Sequence, residues 1–144
     1  MEAPDLLTPP FATKIAIIVR DDLAAWQRMN VTAFLASGIA AANPELVGEP
    51  YRDGSGGNYL PLLGMPVLVF EGGARELATA RGRAATRGLR AAIYTQEMFG
   101  TGYDAANRAA TADVPAERLD LVGFAVHGPK NSVDKVVKGT HLHP

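Results

Sequence analysis

The apolar positions of this chain fall into two rhythms. Lys14 to Arg20 reads Lys-Ile-Ala-Ile-Ile-Val-Arg, a short and nearly continuous β-branched run of the kind that forms a strand covered on both faces. After Asp21 and Asp22, which supply cap chemistry, a longer period takes over and predicts a helix to about Ala42, stopped by Asn43 and Pro44. Its roughly 20 residues span about 30 Å. Leu23, Trp26, Asn30, Ala33, Phe34 and Ser37 line one side, while Val31, Leu35, Ile39 and Ala42 form a second apolar stripe. A helix apolar on two sides needs two partners, one the sheet and the other a second helix or a second subunit.

Beyond this helix the chain becomes rich in Gly and Pro over residues 45–64, where Pro50-Tyr51-Arg52 and Asn58-Tyr59-Leu60 flank Asp53-Gly54-Ser55-Gly56-Gly57 as a short hairpin arm does. Pro66 to Phe70 predicts a second strand. A helix follows from about Ala74 to Arg87, closed by Gly88 in the C-terminal capping role. Arg90 to Thr95 is a third strand, Tyr103 to Thr111 a shorter helix, Leu119 to Val126 a fourth strand, and Gly128-Pro129 opens a last helix to about Lys138. This alternation predicts an α/β fold: three layers, α/β/α, around a small mixed sheet of about four strands. Neither a repeat nor a linker interrupts residues 14–144, which are expected to form one domain. Residues 1–13 read as a loose leader, since Glu2, Asp5 and three prolines within the first ten residues do not make a secretory signal.

Composition narrows the functional classes. With 144 residues, 47% of them apolar and 20% charged, one ordinary core suffices. A net charge of -1 offers no overall attraction to a polyanion, so binding of RNA would require a local basic patch. The absence of cysteine removes thiolate chemistry and disulfides, and fits a cytoplasmic location. No apolar run reaches the 18 residues of a membrane span, so no membrane partner is expected.

Two segments resemble a known family. Val19-Arg20-Asp21-Asp22-Leu23 and Gly128-Pro129-Lys130-Asn131-Ser132-Val133-Asp134-Lys135-Val136 are similar to the corresponding segments of peptidyl-tRNA hydrolase II, as is Gly88-Leu89 before the third strand. Lys14 to His143 resembles more closely a bacterial family, domain of unknown function two thousand, through Trp26-Gln27, Leu35-Ala36-Ser37-Gly38, Gly48-Glu49-Pro50-Tyr51, Tyr94-Thr95, Met98-Phe99 and Val133 to Gly139. The resemblance implies a peptidyl-tRNA hydrolase II-like sheet of four strands, one of them antiparallel, and a homodimer. It does not bring the hydrolase's chemistry with it. Where that enzyme has Lys-Gly-Lys and, one turn later, Gln, this chain has Arg28, Met29, Asn30 and Phe34; where it has Asp after the third strand, this chain has Gln96 and then Glu97. Losing an ammonium that stabilises an oxyanion typically costs about 3–4 kcal/mol of transition-state stabilisation.

Candidate site residues follow from position. Ligands of open α/β sheets sit beyond the carboxyl ends of strands, which nominates Arg20, Asp21, Asp22, Thr95, Gln96 and Glu97. Helix capping and an Arg20 ion pair are the competing roles for the two aspartates. Asn30 within an apolar face either orients a ligand or bonds a neighbouring loop. Trp26, Gln27 and Lys135 join the ligand-binding candidates through the resemblance. Thr32 and Ser37 are weaker, because both residue types bond back to the preceding turn. Arg75, Arg81, Arg83, Arg87 and Arg90 suit a solvated face as well as a phosphate. His127, His141 and His143 fall short of a catalytic zinc set, and no nucleophile elbow or phosphate loop occurs, so no metal or cofactor is expected.

Two functions follow. One is a dimeric binding domain, holding a small polar ligand or a macromolecule between the first helix and the loop after the third strand. The alternative is a hydrolase of ester or amide bonds in which Asp22, Asn30, Thr95 and Glu97 form a rearranged catalytic set with water as nucleophile. They are separated by whether Asp22, Asn30 and Glu97 converge.

Overall fold

A computed structural model describes residues 11–144. The first ten residues of the expected leader lie outside the described residues, and its remainder is already part of the fold. Phe11 packs against the core, and strand β1 (Thr13–Arg20) begins at Thr13. As its continuous apolar run predicts, β1 lies inside a sheet covered on both faces. Ile15, Ile17 and Val19 point to one side, Ala16 and Ile18 to the other.

The remaining elements are α1 (Ala25–Ala42), a hairpin arm of β2 (Tyr51–Arg52) and β3 (Asn58–Tyr59), β4 (Val67–Gly72), α2 (Ala74–Thr86), β5 (Ala91–Thr95), a 3₁₀ turn Gln96–Gly100, α3 (Asp104–Ala112), β6 (Leu121–Pro129), α4 (Lys130–Val136) and β7 (His141–Leu142). The main sheet runs in the order β5-β6-β1-β4-β7. β1 and β4 are parallel, β6 is antiparallel to both β1 and β5, and β7 is antiparallel to β4. Thus the mixed α/β architecture holds, with a fifth strand that is only two residues long. α1 packs on one face; α2 and α4 pack on the other.

Local chemistry fixes the elements. Gly88, at φ 68°, takes the left-handed conformation that closes α2, and the Leu89 amide reaches back to Ala84 O at 2.9 Å. In the arm, the Asp53 carboxylate accepts from the amides of Ser55 and Gly57, both at 2.9 Å, and from the Tyr59 hydroxyl at 2.6 Å.

Two expectations are corrected, and one choice left open is decided. Asp21 and Asp22 do not cap α1: its N-cap is Ala24, whose amide donates to Gln27 Oε1 at 2.9 Å, because Arg20 has claimed the Asp22 side chain. The fourth strand runs on through Gly128 and Pro129, which pair with Lys14 and Thr13, so the last helix starts at Lys130. Finally, the stripe Val31, Leu35, Ile39 faces the sheet and is buried, leaving Trp26, Met29 and Phe34 as the exposed side of α1. Gly123 on β6 is the reason. A side chain there would meet Val31 and Leu35, so its absence lets that stripe descend onto the sheet.

Candidate functional site

The turn between β1 and α1 is organised by Arg20. Its Nε and Nη2 fork the two oxygens of Asp22 at 3.0 and 3.2 Å, while Nη1 reaches Asp120 Oδ1 at 2.6 Å and Leu121 O at 3.1 Å. The hydrogen bond from Arg20 holds the Asp22 carboxyl below its usual range, and Asp22 in turn raises Arg20. A carboxylate in this state is a poor proton acceptor. Gln96 joins the same corner through its backbone, donating to Asp120 O at 2.9 Å.

A cleft of about 900 Å³ opens between α1 and the segment after β5. α1 contributes Trp26, Asn30 and Phe34; the end of β5 and the 3₁₀ turn contribute Tyr94, Met98 and Phe99; α3 adds Asn107 and Arg108. α1 comes close to β5 here because Gly38 has no side chain to strike Ala92. The aromatic rings interlock, with Tyr94 and Phe99 centred 5.3 Å apart, Phe34 and Tyr94 5.7 Å, and Trp26 edge-on to Phe99 at 6.2 Å. Trp26 and Phe34 nonetheless remain 61% and 55% exposed, offering flat apolar surface to the cleft. Burial raises the Tyr94 phenol pKa. The polar contribution comes from half-buried Asn30, from Thr101 bonded to the Asn107 side chain, and from Arg108 paired with Asp104.

Of the residues nominated from sequence, Trp26, Asn30 and the weaker candidate Ser37 therefore share this cleft. Arg20 and Asp22 form the adjoining ion pair, with Asp21 exposed beside them, and Gln27 caps α1. Thr95 is buried, Glu97 is exposed on the turn outside the cleft lining, and Lys135 lies on α4 in the opposite layer. Thr32 and Ser37 bond back to Arg28 O and Phe34 O, as their residue types predict.

A second polar cluster was not legible beforehand. Glu71, at the end of β4, accepts from His141 Nε2 at 2.8 Å and from Arg28 Nη1 at 3.2 Å. Arg28 Nη1 also donates to His143 Nε2 at 3.0 Å. The cluster fastens β7 to β4, helped by the His143 amide on Val69 O at 2.9 Å. Among the described residues no group of His, Asp and Glu side chains is arranged to hold a metal ion; here the positive charge beside Glu71 is the guanidinium itself. The sequence signal was the alternation His141-Leu142-His143, but the matching carboxylate lies far away in the chain.

The hydrogen bond from His141 outweighs partial burial and holds Glu71 below the usual glutamate value of 4.5, with Arg28 acting in the same direction. A depressed carboxyl pKa stabilises the fold above the unfolded value, and that contribution disappears as pH falls through the lower folded value. Acidification below 4.5 is therefore expected to loosen β7, seen as falling protection of the His143 amide against hydrogen exchange. Glu71→Gln should weaken protection near neutrality and remove this pH dependence; an unchanged profile would show that the cluster does not hold the strand.

No helix of the described residues is long and apolar enough to cross a membrane. A small mixed α/β domain with an aromatic cleft beside its first helix is the class that fold and geometry define. The family model for a protein of unknown function, DUF2000, matches residues 13–144, and the chain belongs to that family. A solved structure of a protein of unknown function from Agrobacterium tumefaciens strain C58 is similar at 46% identity, with a TM-score of 0.91, over 93% of this chain and 99% of that one. None of the curated proteins compared with it matches.

Proposed function

We propose that this protein is a cytoplasmic, homodimeric binding domain that takes a small planar ligand with a polar edge into the cleft between α1 and the turn after β5, on a scaffold shared with peptidyl-tRNA hydrolase II. The observation that carries the reading is the pairing of half-buried Asn30 with the exposed faces of Trp26 and Phe34 in one concave space. Apolar walls with a few placed polar groups are the usual make-up of small-molecule sites, and about 900 Å³ is an ordinary size for one. A carboxamide both donates and accepts, which suits a heteroaromatic edge.

Hydrolysis has less support. Asp22 is forked by Arg20, Asn30 lies in the cleft, and Glu97 stands outside its lining, so the three have no mutual hydrogen bond.

Trp26 is the single tryptophan and thus an intrinsic reporter of the cleft. Titration with planar heteroaromatic compounds should quench its fluorescence saturably, and Asn30→Ala should weaken that binding by about tenfold, the equivalent of about 1.4 kcal/mol. Turnover of peptidyl-tRNA or an aminoacyl ester that Glu97→Ala abolishes would replace this reading with the hydrolase.

A further inference from the structure

The adjacent parallel strands β1 and β4 send their following helices to opposite faces of the sheet, α1 to one side and α2 to the other. α1 packs over β5, β6 and β1 and leaves the β4 side of its own face of the sheet uncovered. The uncovered strip is a groove of about 770 Å³ beside α1. Val19 and Val69 form its floor, Met29 and Ala33 of α1 one wall, and Arg28, Thr32 and His143 its polar part. It shares no lining residue with the aromatic cleft, which opens on the other side of α1.

The hydrogen bonds already made define what it accepts. Arg28 carries five N–H donors. Four are committed: Nε to Leu23 O at 3.0 Å, Nη1 to Glu71 and His143, and Nη2 to Asp21 O at 2.7 Å. Among the described residues, one Nη2 N–H remains without a partner. A guanidinium has only donors, so His143 Nε2 accepts, and its Nδ1 is left to donate to Pro144 O at 3.0 Å. The Thr32 hydroxyl proton is taken by Arg28 O at 2.7 Å. Because Glu71 already neutralises Arg28, an anion gains no unpaired cation here. What the groove offers is apolar surface and one free donor.

We propose that this groove is a second ligand site, specific for an uncharged, largely apolar small molecule carrying one carbonyl oxygen, which accepts the remaining Nη2 N–H of Arg28. The probe is prodan, an uncharged naphthyl ketone whose emission moves to the blue on leaving water. Saturable binding with a blue shift is expected. Ala33→Trp and Met29→Trp, at exposed positions of α1, should each fill the groove and weaken binding at least about tenfold. Ser37→Trp, which narrows the aromatic cleft instead, should leave prodan affinity within about twofold, well under that tenfold step. Circular dichroism verifies that all three variants are folded. Absence of saturable prodan binding overturns the proposal, as does binding lost in Ser37→Trp but kept in both groove variants.

Discussion

Leu35→Glu is expected to unfold this protein, whereas Met29→Glu should leave it folded. Leu35 is 2% exposed and packs with Val31 and Ile39 into the core between α1 and the sheet. Truncating a buried leucine costs about 2–5 kcal/mol. A carboxylate in the same place must also be desolvated or protonated, against a total stability of about 5–15 kcal/mol. Met29 is 68% exposed on a part of α1 turned away from the core, toward the groove and not toward the cleft of Trp26 and Phe34. If the proposed homodimer meets over Met29, so that the partner copy roofs the groove, Met29→Glu converts a dimer to a folded monomer. Circular dichroism with urea unfolding reads the first effect and light scattering the second. A folded Leu35→Glu would overturn the orientation of α1, and a Met29→Glu dimer would move the interface elsewhere.

The second large effect belongs to Gly123. Adding a methyl group drives it into Val31 and Leu35, and overpacking of this kind costs about 1–3 kcal/mol. Gly123→Ala should therefore lower the urea midpoint with little change in slope, and should disturb Trp26 fluorescence as α1 lifts. Val31→Ala alone is also destabilising, but combined with Gly123→Ala it should restore part of the loss, because the cavity receives the new methyl. Strict additivity of the two changes would mean that Gly123 does not set the seating of the helix.

These two residues also explain what was legible in the sequence. The β-branched run of β1, the arm around Asp53 and the cap at Gly88 could be read locally because each is decided by its own neighbours. The orientation of α1 could not. A helix apolar on both sides carries little directional signal, and the choice is made by Gly123, remote in sequence. Asp21 and Asp22 have the composition of a cap, yet Asp22 bonds instead to Arg20, which is also held by Asp120 from the loop before β6. Trp26 and Asn30 reached the cleft because spacing put them on one side of α1. Its α3 members, Asn107 and Arg108, arrive through the tertiary path of the chain beyond β5. Likewise, the histidines of the tail showed alternation but not their partner Glu71.

α1 is the common wall of both cavities, with Met29 and Ala33 turned to one and Trp26, Asn30 and Phe34 to the other. In the two-site reading proposed above, a displacement of this helix that widened one space would narrow its neighbour, and the two occupancies would then be thermodynamically linked. Whatever factor one bound molecule imposes on the affinity for the second is returned in full by the second to the first.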